Sequence, residues 1–202
     1  MNAKQKILAE ASKLIHTKGF NNTSIQDILD AASVTKSNFY YHFDSKERLG
    51  LDVLAERISQ FNTFIIEPSL RASDRSAVAR LDAFFENIDW LAARPEGELG
   101  CPFGNLAQEM SAIHEPLRQA LSDFFRMCAD CLEQCLEGGK KTGEFREDMP
   151  SRRLAEFVMA QVQGAFLLRK THKDADIMRS NLGMLRQYVM TWSTGPKEDT
   201  HG

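Results

Sequence analysis

The chain has 202 residues, 43% hydrophobic and 26% charged, the balance of a soluble protein able to bury one large core or two small ones. Its formal net charge of −3 excludes a generally basic nucleic-acid coat protein, yet residues 1–50 hold seven Lys/Arg against five Asp/Glu while the remainder holds 18 against 23, so positive charge gathers at the amino-terminal end. The longest uncharged run near the carboxyl end, residues 157–168, is 12 residues long, short of the roughly 20 that a membrane-spanning helix needs, and lysines at positions 4, 6 and 13 leave no apolar signal segment; a cytoplasmic location, no membrane partner and reduced cysteines are expected.

The chain reads as all-α, with about nine helices and no convincing strand. A first helix is predicted over residues 2–18, where Ile7, Leu8, Ala11, Leu14 and Ile15 keep helical spacing, and Gly19 ends it. A second, short helix follows: Thr23 and Gln26 have the spacing of a capping box, and Ile25, Ile28, Leu29 and Ala32 form its apolar stripe. After the brief connection Ser33-Val34 comes a segment, residues 35–46, with two apolar anchors, Phe39 and Phe43, spaced i,i+4. Its other side chains hydrogen-bond or carry charge: Thr35, Lys36, Ser37, Asn38, Tyr40, Tyr41 and His42. Helix, short turn, helix with two buried rings and a polar outer face is the helix-turn-helix arrangement that a DNA major groove admits. Ser45 offers an N-cap to the next helix, with Lys46 in its first turn, a combination suited to phosphate.

The run GFNNTSIQDILDAASVTKSNFYYHFDSKERL, residues 19–49, resembles the DNA-binding signature of the tetracycline-repressor (TetR) family. Ser33 stands where that family generally has a turn glycine, and Ser37 where it often has glycine. The resemblance implies an amino-terminal DNA-binding domain over residues 1–62, a fourth helix continuing to about 67 as connector, and a ligand-binding and dimerisation domain over 68–196; the polar composition after Gly195-Pro196 predicts a disordered tail over 197–202. It implies three partners: a double-stranded DNA operator, a small-molecule inducer and a second copy of the chain. The residues expected at DNA are Lys36 for a guanine edge, Asn38 for adenine, Tyr40 or Tyr41 for thymine methyls, and Thr23, Ser24, Tyr41, His42 and Lys46 for phosphates, with Thr35 and Ser37 completing the surface.

Downstream, helices are predicted from 45 to about 67, 74 to 94, 102 onward, 115 to 136, 150 to 170 and 175 to 192, with all six prolines where the helical period breaks. The last two carry apolar faces that one protomer need not cover. Phe157, Val158, Gly164, Ala165, Leu182, Leu185, Val189 and Trp192 are the candidate dimer residues, in a four-helix bundle formed by two copies; burial within one chain is the alternative.

The aromatic and sulfur side chains Phe85, Trp90, Cys101, Phe103, Met110, Phe124, Phe125 and Phe166 are candidates to line a cavity for an apolar or aromatic inducer; an ordinary helical core is the other reading. Cys128, Cys131 and Cys135 continue the stripe of Leu117, Leu121 and Phe124, which favours core packing over redox or metal chemistry. Cys101 precedes Pro102 and is expected at a helix N-cap. The run GCPFGNLAQE, residues 100–109, resembles a segment found in a subset of TetR-type regulators, in some of which a cysteine here senses oxidants or electrophiles; a structural role at the cavity mouth is the alternative. No catalytic motif, cofactor or metal site is expected: Gly-x-Ser-x-Gly, His-Glu-x-x-His and a Gly-Lys-Ser/Thr phosphate loop are all absent. The expected function is a ligand-responsive, homodimeric transcriptional repressor, with a thiol-sensing repressor acting through Cys101 as the alternative.

Overall fold

The computed structural model describes residues 2–195. Among these, the α-helices are α1 Ala3–Lys18, α2 Ile25–Ala32, α3 Lys36–His42, α4 Lys46–Phe61, α5 Ala77–Ala93, α6 Pro102–Met110, α7 Glu115–Thr142, α8 Ser151–His172 and α9 Ala175–Met190. A π turn, Asn62–Ile66, prolongs α4, and a 3-10 turn, Pro95–Leu99, follows α5. One isolated antiparallel bridge joins Phe145 and Ser193. The tail expected over 197–202 lies outside the described residues.

Contacts divide the chain into two units. One comprises the residues up to Gln60 together with Leu99–Phe124, so α6 groups with the amino-terminal helices; the other comprises Phe61–Glu98 and the residues from Phe125 on.

In the first unit, α1 opens with a capping box: the Asn2 side chain accepts the Gln5 N–H, and the Gln5 side chain accepts the Asn2 N–H. It closes at Gly19, whose φ of 89° and ψ of 159° suit only a residue without a Cβ. The α2 cap differs from the expected one. Ser24 is the N-cap and Asp27 its partner. Thr23 is buried instead, its hydroxyl donating to the Gly19 carbonyl at 2.7 Å. The two candidate caps lie one residue apart, and the hydroxyl that finds an intraturn acceptor folds inward.

The core of this unit is Ile7, Ala11, Ile28, Leu29, Ala32, Phe39, Phe43, Leu49 and Val53, with Leu8, Leu14, Ile15, Ile25 and Val34 half-buried around it. The centre of the buried face of α1 is thus the Ile7–Ala11 pair. Phe20 packs across Gly50 of α4: a Cβ on Gly50 would lie 2.6 Å from the Phe20 ring. Burying side chains of this size contributes roughly 1.5–3 kcal/mol each, which lets helices as short as α2 and α3 persist where isolated ones would melt.

In the second unit, α5 has a complete account of its first-turn amides. The Glu144 carboxylate accepts the N–H groups of Ala77 and Val78 at 3.1 and 3.0 Å, Ser76 Oγ accepts that of Ala79, and the Ser76 carbonyl accepts that of Arg80. Burial alone would raise the Glu144 pKa; the amides of Val78 and Ala77 and the Thr142 and Ser76 hydroxyls outweigh it and hold the group below the usual carboxylate range. At the other end of α5, the Ala92 carbonyl accepts a hydrogen bond from the buried Arg169 guanidinium of α8. Helices α8 and α9 pack against each other, and α9 against α5. Val158, Ala165, Leu182, Leu185 and Val189 are buried inside the single chain. They are therefore core residues here, and of the candidate dimer residues Phe157 alone is an exposed large apolar side chain. Cys128, Cys131 and Cys135 are buried thiols on the α7 stripe, and among the described residues no group of His, Cys, Asp and Glu could hold a metal ion.

Candidate nucleic-acid interface

Helix α3 is held by its ends and by its rings. Thr35 is the N-cap, its hydroxyl accepting the Asn38 N–H at 3.3 Å. Phe39 and Phe43 are buried, with ring centres 5.7 Å apart. Upstream, Ser33 takes the left-handed conformation, φ 53° and ψ 48°, and Val34 N–H reaches the Leu29 carbonyl at 3.1 Å, closing α2 with a Schellman-type 6→1 bond. A serine does here what a glycine does with less strain.

With two rings turned inward, the opposite face of α3 carries Lys36, Ser37, Asn38, Tyr40 and Tyr41 in solvent. Tyr41 is 84% exposed, its ring and phenol both open to solvent. His42 is half-buried, its ring edge-on to Tyr41 at 4.9 Å. The Lys36 ammonium lies 5.9 Å from the Tyr40 ring centre. A seven-residue helix bearing one cation, one amide, one serine hydroxyl and two phenols can enter a groove and meet base edges with donors, acceptors and ring edges.

Two residues expected at phosphates are engaged elsewhere. The side chain of Thr23 is internal, as above. Lys46 donates to the carbonyls of Phe20 and Thr23, both at 3.1 Å, and its ammonium stands 4.6 Å from the Phe20 ring centre. Two of its three donors thus serve the turn before α2. Ser24 stays exposed, but its hydroxyl exchanges hydrogen bonds with Asp27, 2.6 Å to the carboxylate and 3.0 Å from the amide. Those bonds to Ser24, with help from Lys18, pull the Asp27 carboxyl down to about 2.

Sequence reasoning missed Glu109, whose carboxylate accepts the Asn21 N–H at 3.0 Å. No local pattern pairs residues 88 positions apart.

The α6 end is built around Cys101. It is the N-cap, 8% exposed, with Pro102 at the first helical position, and its sulfur accepts the Gly104 N–H at 3.5 Å. Burial lowers the pKa of the nearby Arg57 guanidinium, while Cys101 and Glu56 act in the opposite direction. A small cavity of about 20 Å³, room for one water, is bounded by Ile15, His16 and Arg57 with Phe103, Leu106 and Glu109 of α6. Of the expected pocket residues Phe103 alone borders it. Phe103 stacks on Phe124 with ring centres 3.9 Å apart. Phe85, Met110 and Phe166 are buried and Phe125 half-buried. Trp90 departs from expectation: it is 56% exposed, beneath the Arg94 guanidinium at 5.0 Å, so it faces solvent in this chain.

The short helix-turn-helix carrying a bare polar face on α3 defines a DNA-binding transcriptional regulator. Residues 7–53 match the family described as bacterial regulatory proteins, tetR family, and residues 77–185 match the tetracyclin repressor-like C-terminal domain. The chain is 35% identical over 193 residues to an uncharacterized HTH-type transcriptional regulator in the lacX 3′ region of Lactococcus lactis, covering 92% of both chains. It is 31% identical over 173 residues to the HTH-type transcriptional repressor DhaR of Mycobacterium sp. strain GP1, covering 86% of this chain and 85% of that one. A TetR transcriptional regulator from Chloroflexus aurantiacus superposes with a TM-score of 0.86 at 25% identity, over 95% of this chain and 96% of that one. The chain belongs to the TetR family of transcriptional regulators. Among the described residues, no helix is long and apolar enough to cross a membrane.

Proposed function

We propose that the chain represses transcription as a homodimer on a pseudo-palindromic operator and releases it when a small apolar or aromatic inducer binds. The observation that carries this reading is the two-sided α3, with Phe39 and Phe43 sealed inside and Lys36, Asn38 and Tyr41 in solvent. Lys36 meets a guanine edge, Asn38 an adenine, and the rings of Tyr40 and Tyr41 thymine methyls. Tyr41 and His42 take phosphates and set the register, while the Ser24 hydroxyl and amide are held by the Asp27 carboxylate. Thr23 and Lys46 support the turn behind them.

Dimerisation rests on an exposed apolar stripe. Exposed Phe157 and Leu168 lie along α8 at i and i+11 with half-buried Gly164 between them at i+7, and exposed Met184 and Tyr188 lie along α9 at i and i+4. Phe157 and Tyr188 join the two helices with ring centres 5.3 Å apart. A Cβ on Gly164 would meet nothing within 4 Å, which leaves backbone open to a second helix. A second copy covering this stripe makes a four-helix bundle and sets two recognition helices roughly 34–36 Å apart, one turn of DNA. The inducer binds the DNA-incompetent state more tightly, since otherwise it shifts no equilibrium.

Selection of bound DNA from a random pool, with and without a panel of metabolites and biocides, tests the reading. A two-fold symmetric consensus that one of the compounds abolishes is the expected result. Failure to enrich any sequence would overturn it.

A second reading draws on Cys101, a buried thiol at a helix N-cap close to Arg57. Here an oxidant or electrophile acts as the signal. Loss of operator binding after mild peroxide in the wild type, retained in Cys101→Ser, is its signature; an unchanged response in Cys101→Ser removes it.

A further inference from the structure

The turn between α1 and α2 is gripped by two helices of its own unit. From α4, Lys46 holds the carbonyls of Phe20 and Thr23, and Gly50 receives the Phe20 ring. From α6, the Glu109 carboxylate holds the Asn21 N–H at 3.0 Å. The same carboxylate covers Gly19: a Cβ there would lie 2.7 Å from one oxygen and 3.0 Å from the other. Each grip matches the backbone in sign, with a cation on carbonyl oxygens and an anion on an amide. A second link ties the start of α6 to α1, where the His16 ring nitrogen lies 3.0 Å from the Gly100 carbonyl oxygen.

We propose that Glu109 is a coupling residue through which α6 controls the DNA-binding helices directly, by way of the α1–α2 turn and separately from α4. The inference rests on the repressor reading and adds the route of its regulation. Asn21 is three residues before Ser24, the N-cap of α2, so a displacement at Asn21 is passed on to the start of the helix-turn-helix. A hydrogen bond of 3.0 Å tolerates little movement: a shift of about 1 Å takes it beyond bonding range. When α6 moves, the turn must follow or be let go. Either way the geometry that presents α3 changes without any change in α3 itself.

The test uses the full-length protein and the operator recovered from a random pool with the wild type. Glu109→Ala and Glu109→Asp, the latter keeping the charge but shorter by one methylene, are expected to weaken operator binding about tenfold, the equivalent of about 1.4 kcal/mol. Hydrogen exchange of peptides covering residues 19–24 should speed up in both, with the unfolding midpoint unchanged. Glu109→Gln keeps an oxygen acceptor of the same reach and should stay within threefold of the wild type in binding and exchange. Operator affinity in Glu109→Ala and Glu109→Asp within twofold of the wild type would overturn the proposal. So would a Gln variant as weak as Ala with a lowered midpoint in both, which marks a packing role. If Glu109→Ala does not fold, the Asp and Gln variants decide. If the wild type selects no operator, the repressor reading falls and the exchange rates decide on the coupling contact, unchanged exchange over 19–24 overturning it.

Discussion

Lys46 and Phe20 form a peg and socket: the ammonium donates to the Phe20 carbonyl at 3.1 Å while lying 4.6 Å from the centre of the same residue's ring. Its charge faces backbone and ring instead of a phosphate. Lys46→Ala should therefore cost about 1–3 kcal/mol of stability through two lost hydrogen bonds and a cation–π contact. The slope of log affinity against log salt should change by much less than the roughly one unit expected of a phosphate-binding lysine. Chemical denaturation and a salt titration of operator binding check both halves.

Ser33 in the left-handed region is the one strained link between α2 and α3. Ser33→Gly should raise stability by about 1 kcal/mol, since glycine adopts this conformation without a Cβ penalty, less a few tenths for the freer unfolded chain. The midpoint of urea unfolding reads this, and a decrease would mean that the Ser33 side chain supplies more than its backbone strain costs.

Asp27 links acid to the start of α2. Its folded pKa, about 2, lies below its ordinary value of 3.8, chiefly because Ser24 hydrogen-bonds the ionised form. A depressed pKa means that the contribution is present above pH 3.8 and disappears as pH falls toward 2. Asp27→Asn should remove that part of the acid dependence between pH 4 and 2. Unfolding midpoints of the two proteins should differ most at neutral pH and converge near pH 2.

The cysteines should differ in reactivity. Burial pushes Cys135 up to about 11, and its thiol lies 3.6 Å from the Ala77 carbonyl. It should resist iodoacetamide at pH 8 in the native protein and react at once in denaturant. Peptide mass spectrometry after timed alkylation measures this, and rapid native labelling of Cys135 would contradict the burial that raises its pKa.

The exposed stripe of α8 and α9 offers a disruption test. Met184 is 66% exposed. Met184→Glu should leave the fold intact and yield monomers by light scattering at micromolar concentration, because a charge cannot be buried unpaired in an apolar seam. A Met184→Glu protein that stays dimeric would place the seam elsewhere.

The helices were legible because their information is local. Asn2, Thr35, Ser45 and Cys101 stand at helix starts, Gly19 closes α1, and Phe39 and Phe43 at i,i+4 face the core. The positive φ at Ser33 falls where the family resemblance places a turn glycine. What stayed hidden depends on partners distant in sequence. Whether Lys46 faces phosphate or the Phe20 carbonyl, and whether Thr23 or Ser24 caps α2, are contests between nearly equal local options that the packed structure decides. Glu109 and Asn21, or Arg169 and Ala92, meet across gaps that no periodicity encodes. In α8 and α9 the apolar stripe told which residues are hydrophobic, but not that Val158 and Leu182 go inward while Phe157 and Met184 stay out.

The carboxylate that completes the amino-terminal end of α5 belongs to Glu144, 66 and 67 positions downstream of the amides it holds. On the ribosome that acceptor emerges only after the whole of α7 has been made. Until then the Ala77 and Val78 amides are left to water, and α5 relies on Ser76 alone. The growing chain therefore carries an unfinished helix through much of its synthesis, and a pause or truncation before residue 144 would expose it to proteases.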